Sequence, residues 1–242
     1  MTRRNGDTGK RRESGVSASP RLGVIEVFRL LAFILATCVI YSCASSRYEA
    51  YLEPHEAVAS WYGPEFQGKQ TACGERFDMY KLTCAHKELP FGTVLGVTNL
   101  ANGKTVRCIV NDRGPFVSGR DLDLSYAAAK EIGLIGSGTG RVRIANLGRD
   151  SSYIKEVRYV ASEGPFTIQV GSFRDHDNAV HLKEGLDLKY KAVYIIEASV
   201  KNVTYYRVRI GKFQRRKDAS DLAKTLAYEG YSPWVVHYDE RA

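Results

Sequence analysis

The chain has no long hydrophobic run. Its one sustained apolar stretch, Leu30 to Tyr41, covers about twelve residues, well short of the roughly twenty needed for a membrane-spanning helix. Proline is scarce, with 7 in 242 residues, and cysteine scarcer still, with 5. Acid is outweighed by base, 27 Asp and Glu against 35 Lys and Arg, giving a formal charge of +8. An apolar share of 44% beside 26% charged residues excludes a chain dominated by disorder. A net positive charge suits an anionic partner such as nucleic acid, acidic lipid or an acidic glycan. About half of the excess, however, lies in residues 1–29, which carry seven Arg or Lys against three acids.

That basic stretch, the apolar run and the small residues after it have the layout of an export signal. Ile40-Tyr41-Ser42-Cys43 resembles a bacterial lipobox, and Cys38 after Leu35-Ala36-Thr37 is a competing site. Residues 1–42 are therefore expected to be a signal peptide of lipoprotein type, with lipidation at Cys43 and a short tether over 43–55. Such a protein resides in the periplasm or cell envelope, held to the membrane by its lipid.

Two folded modules follow. Residues 56–147 are rich in Gly, Thr and Val, with strand-like runs such as 58–62, 93–99, 105–111 and 141–146 between turn signals. Asn102-Gly103 marks a hairpin turn, and Ser125 to Ile132 has helical character. Many short strands with frequent turns predict a small closed β-barrel. Residues 148–164 read as a polar, irregular linker. Residues 165–238 then alternate strand and helix in the order βαββαβ: strand 166–173, helix 175–188, strands 192–200 and 203–213 joined at Lys201-Asn202, helix 217–229 and strand 233–238. This predicts four strands in one sheet with two helices on one face.

Ionisable groups concentrate in three barrel segments. They are Thr71-Ala72-Cys73-Gly74-Glu75, then Leu82-Thr83-Cys84-Ala85-His86 followed by Leu89-Pro90-Phe91-Gly92-Thr93, and Asn111-Asp112-Arg113-Gly114-Pro115-Phe116 followed by Gly119 to Ser125. Each sets a charged or titratable side chain beside Gly or Pro, where loops present groups to ligands. Read singly, Glu75 is a solvated turn residue, Asp112-Arg113 a local ion pair, and Asp123 a cap for the next helix. Glu75, His86 and Asp112 have acceptable metal-ligand types but no recognisable ligand spacing, so no metal site and no cofactor is expected.

Ala59-Ser60-Trp61-Tyr62-Gly63, Leu89-Pro90-Phe91-Gly92-Thr93 and Asn111 to Phe116 together resemble the rare lipoprotein A family, in that family's order across about ninety residues. The resemblance implies a six-stranded double-psi β-barrel. It also implies a lytic transglycosylase that cleaves MurNAc–GlcNAc bonds of peptide-stripped peptidoglycan without water, leaving 1,6-anhydro ends during wall remodelling at division. By motif, Asp112 is the catalytic residue, supported by Glu75 and His86. Glycoside cleavage needs an acid at the leaving oxygen, and with the sugar's own C6 hydroxyl as nucleophile one carboxyl group serves as acid and then base. Trp61, Tyr62 and Arg113 are expected to contact substrate, with Phe116 as a further stacking surface. A barrel that binds glycan without cutting it, as expansins do, is the alternative. Cys73, Cys84 and Cys108 depart from the family's pattern; if Glu75 and His86 converge, Cys73 and Cys84 are the expected disulfide, leaving Cys108 free and buried.

The βαββαβ order is shared with RNA-recognition modules, but an exported protein rarely meets RNA and no nucleic-acid partner is expected. Ile168 to Phe173 and Tyr206 to Gly211 instead resemble the SPOR domain, which binds peptidoglycan strands lacking stem peptides and collects at division septa. Gln169, Ser172, Tyr205 and Arg207 are the expected glycan contacts, on the face not covered by helices. Septal proteins are further possible partners.

Overall fold

The computed structural model describes residues 53–161 and 163–239. The signal-like segment, Cys38 and Cys43 lie outside the described residues.

The first module is a closed six-stranded barrel, with strands in the order β1-β5-β2-β4-β3-β6. They are β1 (His55–Trp61), β2 (Thr83–His86), β3 (Thr93–Asn99), β4 (Thr105–Asp112), β5 (Leu122–Leu124) and β6 (Gly140–Arg149). The pairs β1–β5 and β2–β4 are parallel and the rest antiparallel. Inside, Ala59, Cys84, Leu95, Val97, Val110, Leu122, Leu124 and Val142 are fully buried. The β3–β4 hairpin turns at Asn102-Gly103, where Gly103 has φ +72°, a conformation that costs glycine little.

Two expected loop segments are strands here: β2 and β5 carry the second and third ionisable clusters through the barrel wall. Helix α1 (Tyr126–Glu131) is capped by Ser125, whose hydroxyl accepts from Ala128 N at 3.2 Å. Asp123 is not the cap; it points into the site described below.

The thiol pairing also differs. Cys84 registers with Val110 on the adjacent strand, so Cys108, two residues earlier on the same face, comes alongside it, Sγ to Sγ at 2.8 Å. Cys73 lies in a loop and meets the Thr71 hydroxyl at 3.3 Å instead. All three cysteines are buried thiols.

The second module is a five-stranded sheet in the order β7-β11-β8-β10-β9. Its parts are β7 (Arg158–Tyr159), β8 (Phe166–Phe173), α2 (His176–Asp187), β9 (Val193–Val200), β10 (Val203–Phe213), α3 (Arg216–Tyr228) and β11 (Trp234–His237). The βαββαβ order is present, and β7 from the expected linker adds a fifth strand parallel to β11. Helices α2 and α3 pack on the sheet through Ala179, Leu182 and Leu186, and through Ala219, Ala223 and Leu226. The β9–β10 turn is Lys201-Asn202, both at positive φ.

Candidate active site

One row of residues crosses four neighbouring barrel strands. Ser60 on β1 registers with Asp123 on β5, Asp123 with Ala85 on β2, and Ala85 with Asp112 on β4. Side chains directly opposite one another share a face, so two carboxylates flank the small Ala85 on the barrel's outer side. A bulge makes this possible. Cys84 pairs with Val110 but Ala85 with Asp112, so Asn111 is an extra residue on β4. Without it Asp112 would follow Val110 into the core; bulges re-aim side chains in this way.

The Asp112 carboxylate is held on three sides. Oδ1 accepts from Ala72 N at 2.8 Å and from Arg113 N at 2.8 Å, and Oδ2 accepts from the Tyr62 hydroxyl at 3.2 Å. Burial pushes its proton affinity above the ordinary carboxylate range, although those donors favour the charged form. Burial and the neighbouring Asp112 push the Tyr62 hydroxyl well up, so it stays protonated and donates. Asp123 is raised by burial too, while accepting from the Ser60 hydroxyl and lying 3.7 Å from Arg120.

Glu75 ends a tight turn closed by Thr71 N to Glu75 O at 2.8 Å, with Gly74 at φ +96°. Its Oε2 accepts from Asn111 Nδ2 at 3.0 Å and from the Tyr153 hydroxyl at 3.2 Å. The bulge residue thus fastens Glu75 while the same turn delivers Ala72 N to Asp112. Tyr153 comes from a short 3-10 turn (Ser151–Tyr153) and reaches Glu75 because Gly92 gives it room: a Cβ there would stand 2.7 Å from the Tyr153 Cβ.

His86 is 3% exposed and its Nδ1 accepts from Glu88 N and Leu89 N, both at 3.1 Å. Burial, reinforced by nearby Arg113, lowers its pKa to about 3. The ring is therefore neutral near pH 7, with its proton on Nε2.

The narrow cleft beside Asp112 is lined by Tyr62, Phe66, Lys69, Thr71, Ala72 and Phe77 of the barrel together with Asn178 and His181 of α2. The two modules are tightly joined here. Arg113 is 2% exposed. Its guanidinium lies 3.8 Å over the Phe91 ring, donates to Leu89 O at 2.9 Å, and gives Nε to the Tyr231 hydroxyl at 2.8 Å. Phe91 N donates to Glu229 O at 2.9 Å, and Lys189 Nζ to Glu88 O at 2.8 Å.

On the open face of the second module, Arg207 registers with Ser172 and Arg209 with Gln169, a shift at Val170 separating the pairs. Strict alternation would put Gln169 and Ser172 on opposite faces; the irregularity brings them together. Tyr205 lies two residues before Arg207 on the same strand face, and Trp234 and Tyr194 extend the Gln169–Arg209 row to either side.

The family described as lytic transglycolase matches residues 55–144, and the SPOR domain matches residues 162–237. Endolytic peptidoglycan transglycosylase RlpA of Campylobacter jejuni is 35% identical over 198 residues, covering 74% of this chain and 70% of that protein. The chain belongs to the RlpA family. RlpA of Helicobacter pylori strain J99 is 36% identical over 193 residues, 71% of this chain, and the chain spans about 61% of that relative's length. Among solved structures, the RlpA SPOR domain from Pseudomonas aeruginosa aligns at 28% identity with a TM-score of 0.26, over 29% of this chain and 96% of that one.

Against expectations for an RlpA-family barrel, the structure joins Asp112 and Glu75 through the 71–75 turn and Asn111, and places Tyr62 on Asp112. Three other expected residues sit away from the Asp112 cleft. The Arg113 side chain lies between the modules rather than on the cleft wall. His86 is committed to the 88–89 backbone and carries no charge to tune Asp112. Trp61 faces the opposite side of β1 from Tyr62, edge-on to Tyr126 at 5.8 Å. Tyr153, in the expected linker, escaped the sequence reading; Asp123 reads there as a helix cap rather than a neighbour of Asp112, and Arg209, 7% exposed, shares the strand face of Tyr205 and Arg207.

Proposed function

We propose that the chain is a cell-envelope lytic transglycosylase that cleaves MurNAc–GlcNAc bonds of peptide-stripped peptidoglycan to 1,6-anhydro ends. The observation that carries this reading is the Asp112 carboxyl, made a weaker acid by burial yet fixed in orientation by Ala72 N, Arg113 N and Tyr62. Protonated, it delivers a proton to the leaving oxygen; ionised, it withdraws one from the C6 hydroxyl as that oxygen closes on C1. The internal nucleophile replaces water with an entropic advantage. Glu75, with an exposed carboxylate anchored through one oxygen, hydrogen-bonds sugar hydroxyls. His86 supports the floor of the site rather than the chemistry.

The SPOR module holds the same polymer through Gln169, Ser172, Tyr205 and Arg207, raising the local concentration of glycan at the barrel. Retention in the envelope through lipidated Cys43, and enrichment at septa with protein partners there, belong to the same reading. Incubation with peptide-stripped glycan strands tests it. Anhydro-ended fragments that disappear in Asp112→Asn support catalysis, whereas binding without any product supports an expansin-like binder.

A further inference from the structure

The Asp112 face of the barrel is covered on one side by α2 of the second module. Asn178 and His181, three residues apart and so on one side of that helix, complete the cleft wall opposite Tyr62 and Thr71. The His181 ring stands edge-on to Phe116 at 5.8 Å. Burial raises the proton affinity of Asp112 and Asp123, and the nearby His181 ring is the smallest of the groups that temper that rise. One helical turn on, Gly185 sits against Arg113, where an added Cβ would lie 2.9 Å from Arg113 Cγ and Cδ. Arg113 is in turn held by Phe91 and Tyr231. The position of α2 over the cleft is therefore set by the residue that follows Asp112 in the chain.

We infer that α2 is a working wall of the cleft, and that Asn178 and His181 bind an acidic, N-acetylated sugar next to the bond that Asp112 cleaves. The reasoning rests on the assignment of Asp112 given above. An amide both donates to and accepts from an N-acetyl group. Lys69 supplies a cation on the cleft wall and the His181 ring a further polar contact, a pairing that favours a sugar carboxylate over a neutral hexosamine. The barrel by itself has only part of this site, so the SPOR module selects substrate at the cleft as well as collecting it on its sheet.

Both residues can be changed without disturbing a core, His181 being exposed and Asn178 half-buried. In the full chain, His181→Ala and Asn178→Ala are expected to raise KM for peptide-stripped glycan about tenfold with kcat nearly unchanged, the pattern of lost ground-state binding. Binding of a neutral chitin oligosaccharide should not change in His181→Ala. A second arm needs no turnover: in the Asp112→Asn chain, the His181 ring proton resonances should shift on titration with a GlcNAc–MurNAc oligosaccharide. Unchanged KM values and an unmoved His181 signal overturn the inference, even if wild type cleaves normally. A rise in kcat/KM in either variant also overturns it, because α2 then obstructs the cleft. If wild type proves inactive, the Asp112 assignment fails, and the resonance titration still decides whether α2 binds sugar.

Discussion

Asp112 owes its raised proton affinity to burial, and Tyr62 is the side-chain donor that opposes the rise. Cleavage that begins with the protonated acid should therefore slow as pH climbs through that raised value. A pH profile of kcat/KM checks this, and an alkaline limb within the ordinary carboxylate range would count against it. Tyr62→Phe removes a bond to the charged form, so the limb should move to higher pH, while the plateau below it falls roughly tenfold as Asp112 loses an orienting hydrogen bond. His86 makes the opposite kind of prediction. Its folded pKa, about 3, lies below the unfolded value near 6.5, so the unfolded chain takes up the proton first. Stability should be intact above about pH 6.5 and decline progressively as pH falls toward 3. In His86→Asn, melting temperature should be lower at neutral pH but less sensitive to acid over that range.

At the scale of elements, β3, β4 and the four strands of the second module's βαββαβ pattern are legible because each is long enough to show alternation or a flanking turn. The two shortest barrel strands are not. Thr83–His86 and Leu122–Leu124 are four and three residues long and include a histidine and an aspartate, so polarity hides them as loops. The Asn111 bulge leaves no mark in composition either, yet it decides which face Asp112 occupies. Tyr62, Glu75 and Asp112 were reachable from the motifs; Asp123 and Tyr153 needed register and three-dimensional proximity. The cysteines show the same limit, since the convergence of Glu75 and His86 implied by the family resemblance suggests Cys73 with Cys84, whereas strand register sets Cys84 beside Cys108. In an oxidising compartment these two thiols are predicted to join. Peptide mapping without reduction should find a Cys84–Cys108 link and Cys73 unlinked, its thiol pushed up to about 12 by burial and hence slow to react. A Cys73–Cys84 link would refute the register.

For the molecule as a whole, Arg113 joins what the sequence reads as separate modules. Arg113→Ala would leave Leu89 O and the Tyr231 hydroxyl without their donor and strip the cation from the Phe91 ring. The expected cost is about 3 kcal/mol, seen calorimetrically as one unfolding transition separating into two. A single undisplaced transition would mean that the modules are not coupled through this residue. The most direct test of the account is cleavage of peptide-stripped glycan strands in water enriched in oxygen-18, with the products weighed by mass spectrometry. Attack by the sugar's own C6 hydroxyl predicts anhydro ends free of label in wild type and no products in Asp112→Asn. Reducing ends carrying oxygen-18, or equal cleavage by both proteins, would contradict it.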